Sequence, residues 1–334
     1  MSTKLPIAVD AMGGDKAPGD IVAGAIAAQA QLGVPIALVG DPDALAAAGI
    51  DTGGLHIFPA SEVIGMADDP GQSVRRKKDS SLVRAAEACR DGHACAMVSA
   101  GNTGATMASA LLRMGRLPQV IRPAIATPLP RPSGGHTVLL DAGANAECTS
   151  AMLVQFAQMG SAFARARFGL DSPRVGLLSI GEEPGKGDAL RKETYYALEG
   201  QGVNFIGNVE GRDILTGEVD VVVTDGFTGN VTLKSLEGAM RTLSAAVMEV
   251  LLGTEEARVA SAPLLDGFLG LASRLDPDTT GGAMLLGVKG VCIISHGSSS
   301  AQAMVNACRV AASMVDANVV AAMAAAVATP HTAP

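Results

Sequence analysis

A chain of 334 residues can bury a substantial core, and 48% apolar residues with 3% aromatics, no Trp and 40 glycines describe close helix-on-sheet packing and exclude a disordered chain. The net charge of -8 argues against general nucleic-acid binding, because a protein that tracks phosphates needs a basic surplus. No apolar stretch of about 18 residues runs without polar interruption, and MSTKLPIAVD lacks a signal-peptide core, so the expectation is a cytosolic chain without a transmembrane helix.

In chain order the pattern alternates strand and helix. Ile7 to Val9 reads as the first strand, Pro18 to Gln31 as a helix with Pro near its start and Gly33 after it, and Ile36 to Val39 as the second strand. Arg75, Arg76, Lys77 and Lys78 then form a basic block ahead of Ser80, which is placed to cap a helix through Val83 to Cys89. The block reads either as a solvated loop or as a landing site for an acidic partner. Later strands are Ala96 to Ser99, Val138 to Leu140, Val175 to Ile180, Val203 to Ile206, Val219 to Thr224 and Val291 to Ser295. Their continuous apolar character suits a doubly wound, mostly parallel sheet covered on both faces, within a single α/β domain.

An arm from about Met248 to Asp278 departs from the alternation, with two helical segments. Its second segment is apolar at Leu264, Leu265, Phe268, Leu269, Leu271 and Leu275, which suits either dimer packing or contact with a membrane surface. A long final helix follows Ser298, and Thr329 to Pro334 are expected to fray. The five cysteines show no CxxC spacing and are expected to be buried, reduced thiols.

Six apolar runs end in glycine-bearing polar turns: IAVDAMGGD from Ile7, AMVSAGNTGA from Ala96, VLLDAGANAE from Val138, VGLLSIGEEPGKGD from Val175, VVVTDGFTGN from Val221 and CIISHGSSS from Cys292. In a parallel sheet such turns gather at one edge, where helix N-termini present free amides to an anion. Gly14, Ser99, Asn102, Thr103, Asn145 and Gly229 are the candidate phosphate-binding positions. GEEPGKGD fails as a nucleotide P-loop, since Ile180 stands where the first Gly belongs and Gly187 where Ser or Thr would hold magnesium. Lys186 remains a point charge placed to meet a phosphate or a developing oxyanion. His296 reads either as a proton donor or as a hydrogen-bonded structural residue. No nucleophile elbow, HExxH or Cys-His pairing is present, which fits inorganic phosphate as the nucleophile, positioned by donors alone.

These residues carry a family resemblance. VDAMGGDKAP at Val9, KKDSS at Lys77, SAGNTGA at Ser99, DAGAN at Asp141, QFAQMG at Gln155, GEEPGKGD at Gly181, GNVEGRDI at Gly207, DVVVTDGFTGNVTLK at Asp220, GGAMLLGVKG at Gly281 and HGSSSAQAMVNA at His296 together resemble the bacterial phosphate acyltransferases, the acyl carrier protein:phosphate transacylases of phospholipid synthesis. The resemblance implies transfer of a fatty acyl group from an acyl carrier protein thioester to inorganic phosphate, with the acyl phosphate passed to a membrane acyltransferase that acylates glycerol 3-phosphate. It also implies a three-layer αβα fold similar to phosphate acetyltransferases and isocitrate dehydrogenases, a homodimer, peripheral contact with the inner membrane, and no cofactor or metal. Lys186 and Asn230 match its Lys-Gly and Gly-Asn turns and are expected to stabilise the oxyanion or grip phosphate. Asn102 and Thr103 are expected to hold phosphate, Asp10, Asp15 and Asp225 to orient backbone and lysine groups, and the Arg75 to Lys78 block to receive the acidic carrier protein. Thr280, Met284, Ser179, Glu147 and Ser150 stand where the family pattern has Tyr, Pro, Asn, Asp and Pro. The rival readings are a short-chain phosphate acetyltransferase using coenzyme A, a non-catalytic carrier-protein partner and, last, an NAD-linked decarboxylating dehydrogenase.

Overall fold

The computed structural model describes residues 5–328. The chain opens with β1 (Ile7–Asp10), α1 (Gly19–Leu32), β2 (Ile36–Gly40), α2 (Pro42–Ala47), β3 (His56–Pro59), α3 (Pro70–Arg76), α4 (Ser81–Arg90), β4 (Ala96–Ser99) and α5 (Thr103–Ser109). The chain then forms β5 (Ala124–Pro130), β6 (His136–Leu140), α6 (Ser150–Phe168), β7 (Arg174–Leu178), α7 (Ala189–Leu198), β8 (Asn204–Val209) and β9 (Val221–Val223). It continues through α8 (Gly226–Leu252), α9 (Glu255–Leu275), α10 (Pro277–Thr280), β10 (Ala283–Leu286), β11 (Val291–Ile294), α11 (Ala301–Asp316) and α12 (Val319–Ala328).

Local chemistry explains most boundaries. Gly33 and Gly169 close α1 and α6 in the left-handed region, at φ 63 and 67, a backbone conformation that strains any residue with a Cβ. Thr149, Asp188, Asp225 and Ser300 open α6, α7, α8 and α11 by accepting a backbone N–H from the first turn. Ser80 occupies the cap position of α4, but its hydroxyl makes no cap bond and is buried without a partner. The final helix is broken in two at Asn318, whose φ of 49 interrupts the helical path. The expectation for Thr329 to Pro334 lies outside the described residues.

One sheet orders the strands β3-β2-β1-β4-β11-β10-β5-β6-β9-β7-β8. Both wings are parallel within themselves, whereas β10 is antiparallel to β11 and β5, and β5 is antiparallel to β6. The wings therefore run in opposite directions, so the six turns do not share one edge as a uniformly parallel sheet would require. The strands are short enough to limit the separation. Along the β10 and β5 registers Ser295 leaves β11 level with Pro128, and Asp141 leaves β6 level with Ile125, roughly 10 Å apart at a strand rise of about 3.3 Å.

Alternate strand residues feed two apolar layers: Ile7, Val9 and Val98 pack with α1, α6 and α11, while Ala8, Met97 and Leu139 pack with α4 on the other face. This is the three-layer arrangement. Leaving this body, α8 and α9 pack against each other as a hairpin turned at Gly253 and Thr254. Only Ser261 of α9 is buried, and Leu243, Val250, Val259, Leu264 and Leu269 are exposed along the hairpin. Its first helix begins at Gly226, far ahead of the expected boundary near Met248, because the Asp225 cap starts an uninterrupted helical run there.

Candidate active site

Over the face of β5 and β10 lies a cavity of about 280 Å³. Ile125, Leu129, Ala283 and Ile294 form its apolar floor, and Thr103, Asn230, Glu237 and His296 supply polar atoms from three other elements. Alternation along β5 puts Ile125, Thr127 and Leu129 on one face of the strand. On the α8 side, Asn230, Leu233, Lys234 and Glu237 follow the i, i+3, i+4, i+7 spacing of one helical face.

Tips of the first wing hold one another. Ser295 N–H donates to the Ser99 carbonyl at 2.8 Å, and Asp15 N–H to the Gly297 carbonyl at 2.7 Å. Ser99 Oγ donates to Asp10 Oδ2 at 2.7 Å, so this hydroxyl serves the tip itself and not an incoming ligand. Burial pushes the Asp10 carboxyl above its usual range despite the Ser81 and Ser99 hydroxyls. Gly14, at φ 113, packs its α-carbon where a Cβ would stand 3.2 Å from the Ala100 and Gly297 carbonyls, so its glycine answers to the close approach of three turns. Asn102 caps α5 through Oδ1 to Ala105 N–H and donates Nδ2 to the Met66 and Asp68 carbonyls. Its amide is thus occupied in holding loop 66–68. Thr103, next in the chain, is exposed and lines the cavity.

The second wing is tied in the same way. Asp141 Oδ1 accepts the N–H groups of Ile125, Gly143 and Ala144, and Oδ2 accepts both the backbone N–H and the side-chain amide of Asn145. Burial raises the Asp141 carboxyl, against the pull of those donors. Asn145 spends its remaining donor on the Pro123 carbonyl, and its own carbonyl accepts Gly226 N–H at 2.7 Å. Gly229 is needed for packing: a Cβ there would fall on the Asp141 carbonyl oxygen. Asn230 is exposed on the cavity wall, beside Gly143.

Thr228 and Asn230 lie about 200° apart around α8 and face different clefts. Thr228 belongs to a second cleft with Ser179, Gly187, Asp188 and Arg191. There the buried Arg191 guanidinium pairs with Asp225 and also donates to Thr224 and Thr228. Burial pushes the Asp225 carboxyl up, but the Thr228 and Arg191 donors outweigh it and hold the carboxyl below its usual range. The expected cation for Asp225 is a lysine; Arg191 takes the place, with Nη2 facing Asp225, Thr224 and Thr228 while Nη1 donates to Asp188 Oδ2 at 3.0 Å. Lys186 is exposed on the loop before Gly187 and does not line the central cavity, so the structure does not bring it to Asn230. Of the expected residues, the cavity unites Thr103, Asn230 and His296.

Among the described residues no group of His, Cys, Asp and Glu is placed to hold a metal ion. The model of the family described as fatty acid synthesis protein matches residues 5–322. A phosphate acyltransferase of Pelotomaculum thermopropionicum is 49% identical over 315 residues, covering 93% of this chain and 92% of the relative. That of Nostoc punctiforme is 47% identical over 320 residues, 94% of each chain. The chain belongs to the phosphate acyltransferase family. It is therefore an acyltransferase. A phosphotransacetylase of Streptococcus pyogenes shares the fold at a TM-score of 0.60 and 16% identity, covering 95% of both chains. A putative 4-hydroxythreonine-4-phosphate dehydrogenase of Salmonella typhimurium does so at 0.54 and 14%, covering 94% of this chain and 100% of its own.

Three polar wall residues escaped the sequence reading: Lys234, Glu237 and Thr127. For the first two the signal was present, as the helical spacing from Asn230. Thr127 sits on a strand that the proline-rich ATPLPRP sequence disguised.

Proposed function

We propose that this acyltransferase moves a long-chain fatty acyl group from the thioester of acyl carrier protein to inorganic phosphate, giving acyl phosphate and the free carrier thiol. The observation that carries the reading is the union, in one cavity, of an apolar floor with exposed polar groups at Thr103, Asn230 and His296. The floor removes acyl methylenes from water, each worth about 0.8 kcal/mol. The Asn230 amide and Thr103 hydroxyl hold phosphate and the carbonyl oxygen as it gains charge, where a fixed donor acts without reorganising. Hydrogen phosphate needs no enzymic nucleophile; it needs placement within attacking distance of the thioester carbon. Lys186 immediately precedes Gly187 of the neighbouring cleft, and its role is that of a point charge for phosphate.

Acyl carrier protein, being acidic, docks on α3. Arg75, Arg76 and Lys78 are exposed there, whereas Lys77 donates to the Val63 carbonyl and Asp68 and braces the loop. The start of α3 abuts that of α5, with Pro70 against Gly104, and Arg75 and Arg76 follow in the last turn of α3, about 8 Å further along the helix. The exposed leucines of the α8–α9 hairpin bring the protein, as a homodimer, to the inner membrane face, where acyl phosphate passes to the acyltransferase that acylates glycerol 3-phosphate. The contact proposed is a peripheral one through these leucines; among the described residues no single helix is long and apolar enough to cross a membrane.

The test is acyl phosphate formation from palmitoyl acyl carrier protein and phosphate, trapped with hydroxylamine. Asn230→Ala is expected to lower kcat about 100-fold, the scale of a lost oxyanion donor. A wild-type enzyme active only on acetyl coenzyme A would replace the reading with a short-chain transacetylase.

A further inference from the structure

Glu237 differs from every other carboxylate of the cavity region. Its Oε2 accepts the Lys234 ammonium one turn back at 2.9 Å, while Oε1 is shielded from solvent and has no hydrogen-bond partner. That oxygen lies 3.7 Å from His296 Nε2, across the cavity from α8 to the tip of β11. The Glu237 side chain is only 12% exposed and the His296 side chain 37%, so the carboxylate is the inner member and the imidazole the one nearer an incoming substrate. A buried carboxylate oxygen without a hydrogen-bond partner is costly, and such groups persist where function uses them. The gap is longer than a hydrogen bond, as catalytic contacts commonly are before substrate arrives.

We propose that His296 and Glu237 are the proton-transfer pair of the acyl transfer, an inference that rests on the thioester-to-phosphate reading above. The phosphate oxygen bonds to the thioester carbon, the C–S bond breaks, and its electron pair leaves on sulfur. His296 gives its proton to that sulfur through the ring nitrogen facing away from Glu237, and recovers the proton that hydrogen phosphate loses as its attacking oxygen becomes the anhydride bridge. The proton lost by hydrogen phosphate equals the proton gained by the thiol, so no outside acid is consumed. Glu237 Oε1 accepts Nε2–H throughout, holding the ring in place and stabilising its cationic form; Glu237 is a positioning residue and His296 the catalytic one. Lys234, on the other oxygen, keeps the carboxylate aimed across the cavity.

Leaving-group chemistry separates this role from a structural one. Wild type, Glu237→Gln and His296→Ala are assayed for phosphate-dependent turnover of two palmitoyl thioesters, one of pantetheine and one of an electron-poor aryl thiol that departs without a proton. The expected result is a kcat loss of about 100-fold for His296→Ala, in the range of a lost general acid, and about 10-fold for Glu237→Gln on the pantetheine ester, with both restored to within threefold of wild type on the aryl ester. Equal losses on both esters, or no loss on either, with an active wild type overturn the pair alone. Wild type that forms no acyl phosphate from either ester overturns the transfer reading and the pair with it.

Discussion

Adding one methyl group at the start of α8 measures how strictly this helix must be placed. In Gly226→Ala the new Cβ would stand 2.6 Å from the Asn145 carbonyl oxygen, 2.8 Å from Asn145 N and 2.9 Å from Asp141 Oδ2. An ordinary carbon–oxygen contact needs about 0.9 Å more, given that non-bonded atoms prefer roughly 3.5 Å. Neither neighbour yields easily, because Asn145 is fixed by Asp141, Pro123 and Gly226 itself. The helix start must retreat, and it carries Asn230 and Glu237 along. A displacement near 1 Å at a reacting group costs about 100-fold in rate, and overpacking costs about 1–3 kcal/mol of stability. Gly238→Ala supplies the control within the same helix. No atom lies within 4 Å of a Cβ at Gly238, so relief of glycine's helix penalty is expected to stabilise by up to about 1 kcal/mol. Urea denaturation and hydroxylamine-trapped acyl phosphate read both quantities. Gly226→Ala with kcat within twofold of wild type and unchanged stability would refute the argument that the Asn145–Gly226 contact sets the position of Asn230.

Arg191→Met is expected to destabilise by about 3–5 kcal/mol, because it strands the buried Asp225 carboxylate; urea unfolding at neutral pH checks this. Asp225 has a lowered folded-state pKa, so its stabilising contribution is present above the unfolded carboxylate value near 3.9 and is lost as pH falls through the folded value. Arg191→Met should therefore flatten the acid limb of a stability-against-pH curve, and an unaltered limb would contradict the assignment. Burial lifts the thiols of Cys292 and Cys308 to about 12, and both should resist alkylation at pH 8 until the protein unfolds; rapid labelling of either in the native state would show that the core opens. Arg75→Glu with Arg76→Glu should raise KM for acyl carrier protein at low salt, leaving turnover of a palmitoyl pantetheine ester unchanged, whereas equal effects on both substrates would move the docking surface elsewhere. Leu264→Asp with Leu269→Asp should abolish flotation of the protein with anionic vesicles without loss of turnover on the soluble ester, and undiminished flotation would move the proposed membrane contact away from the hairpin.

What local sequence determines, it determined well here. The apolar runs became β1, β2, β4, β6, β7, β9 and β11, and their polar turns became tips at helix starts, because strand periodicity, glycine turns and Asp or Asn caps act within a few residues. The apolar, weakly buried arm was equally legible at Leu264 and Leu269. The sequence also marked Thr103, Asn230 and His296 as polar tip residues, though nothing local said that these three would meet. Their meeting depends on β10 and β5 reversing the sheet between its wings, a pairing of residues as far apart as Met284 and Ala126. The same distant contacts decided which tip donors stay available. Asn102 was drawn to the Met66 and Asp68 carbonyls and Asn145 to that of Pro123, while the face of α8 that carries Glu237 was turned toward His296. A polar side chain at a turn advertises a hydrogen bond; only tertiary packing settles whether the partner is the protein's own backbone or a ligand.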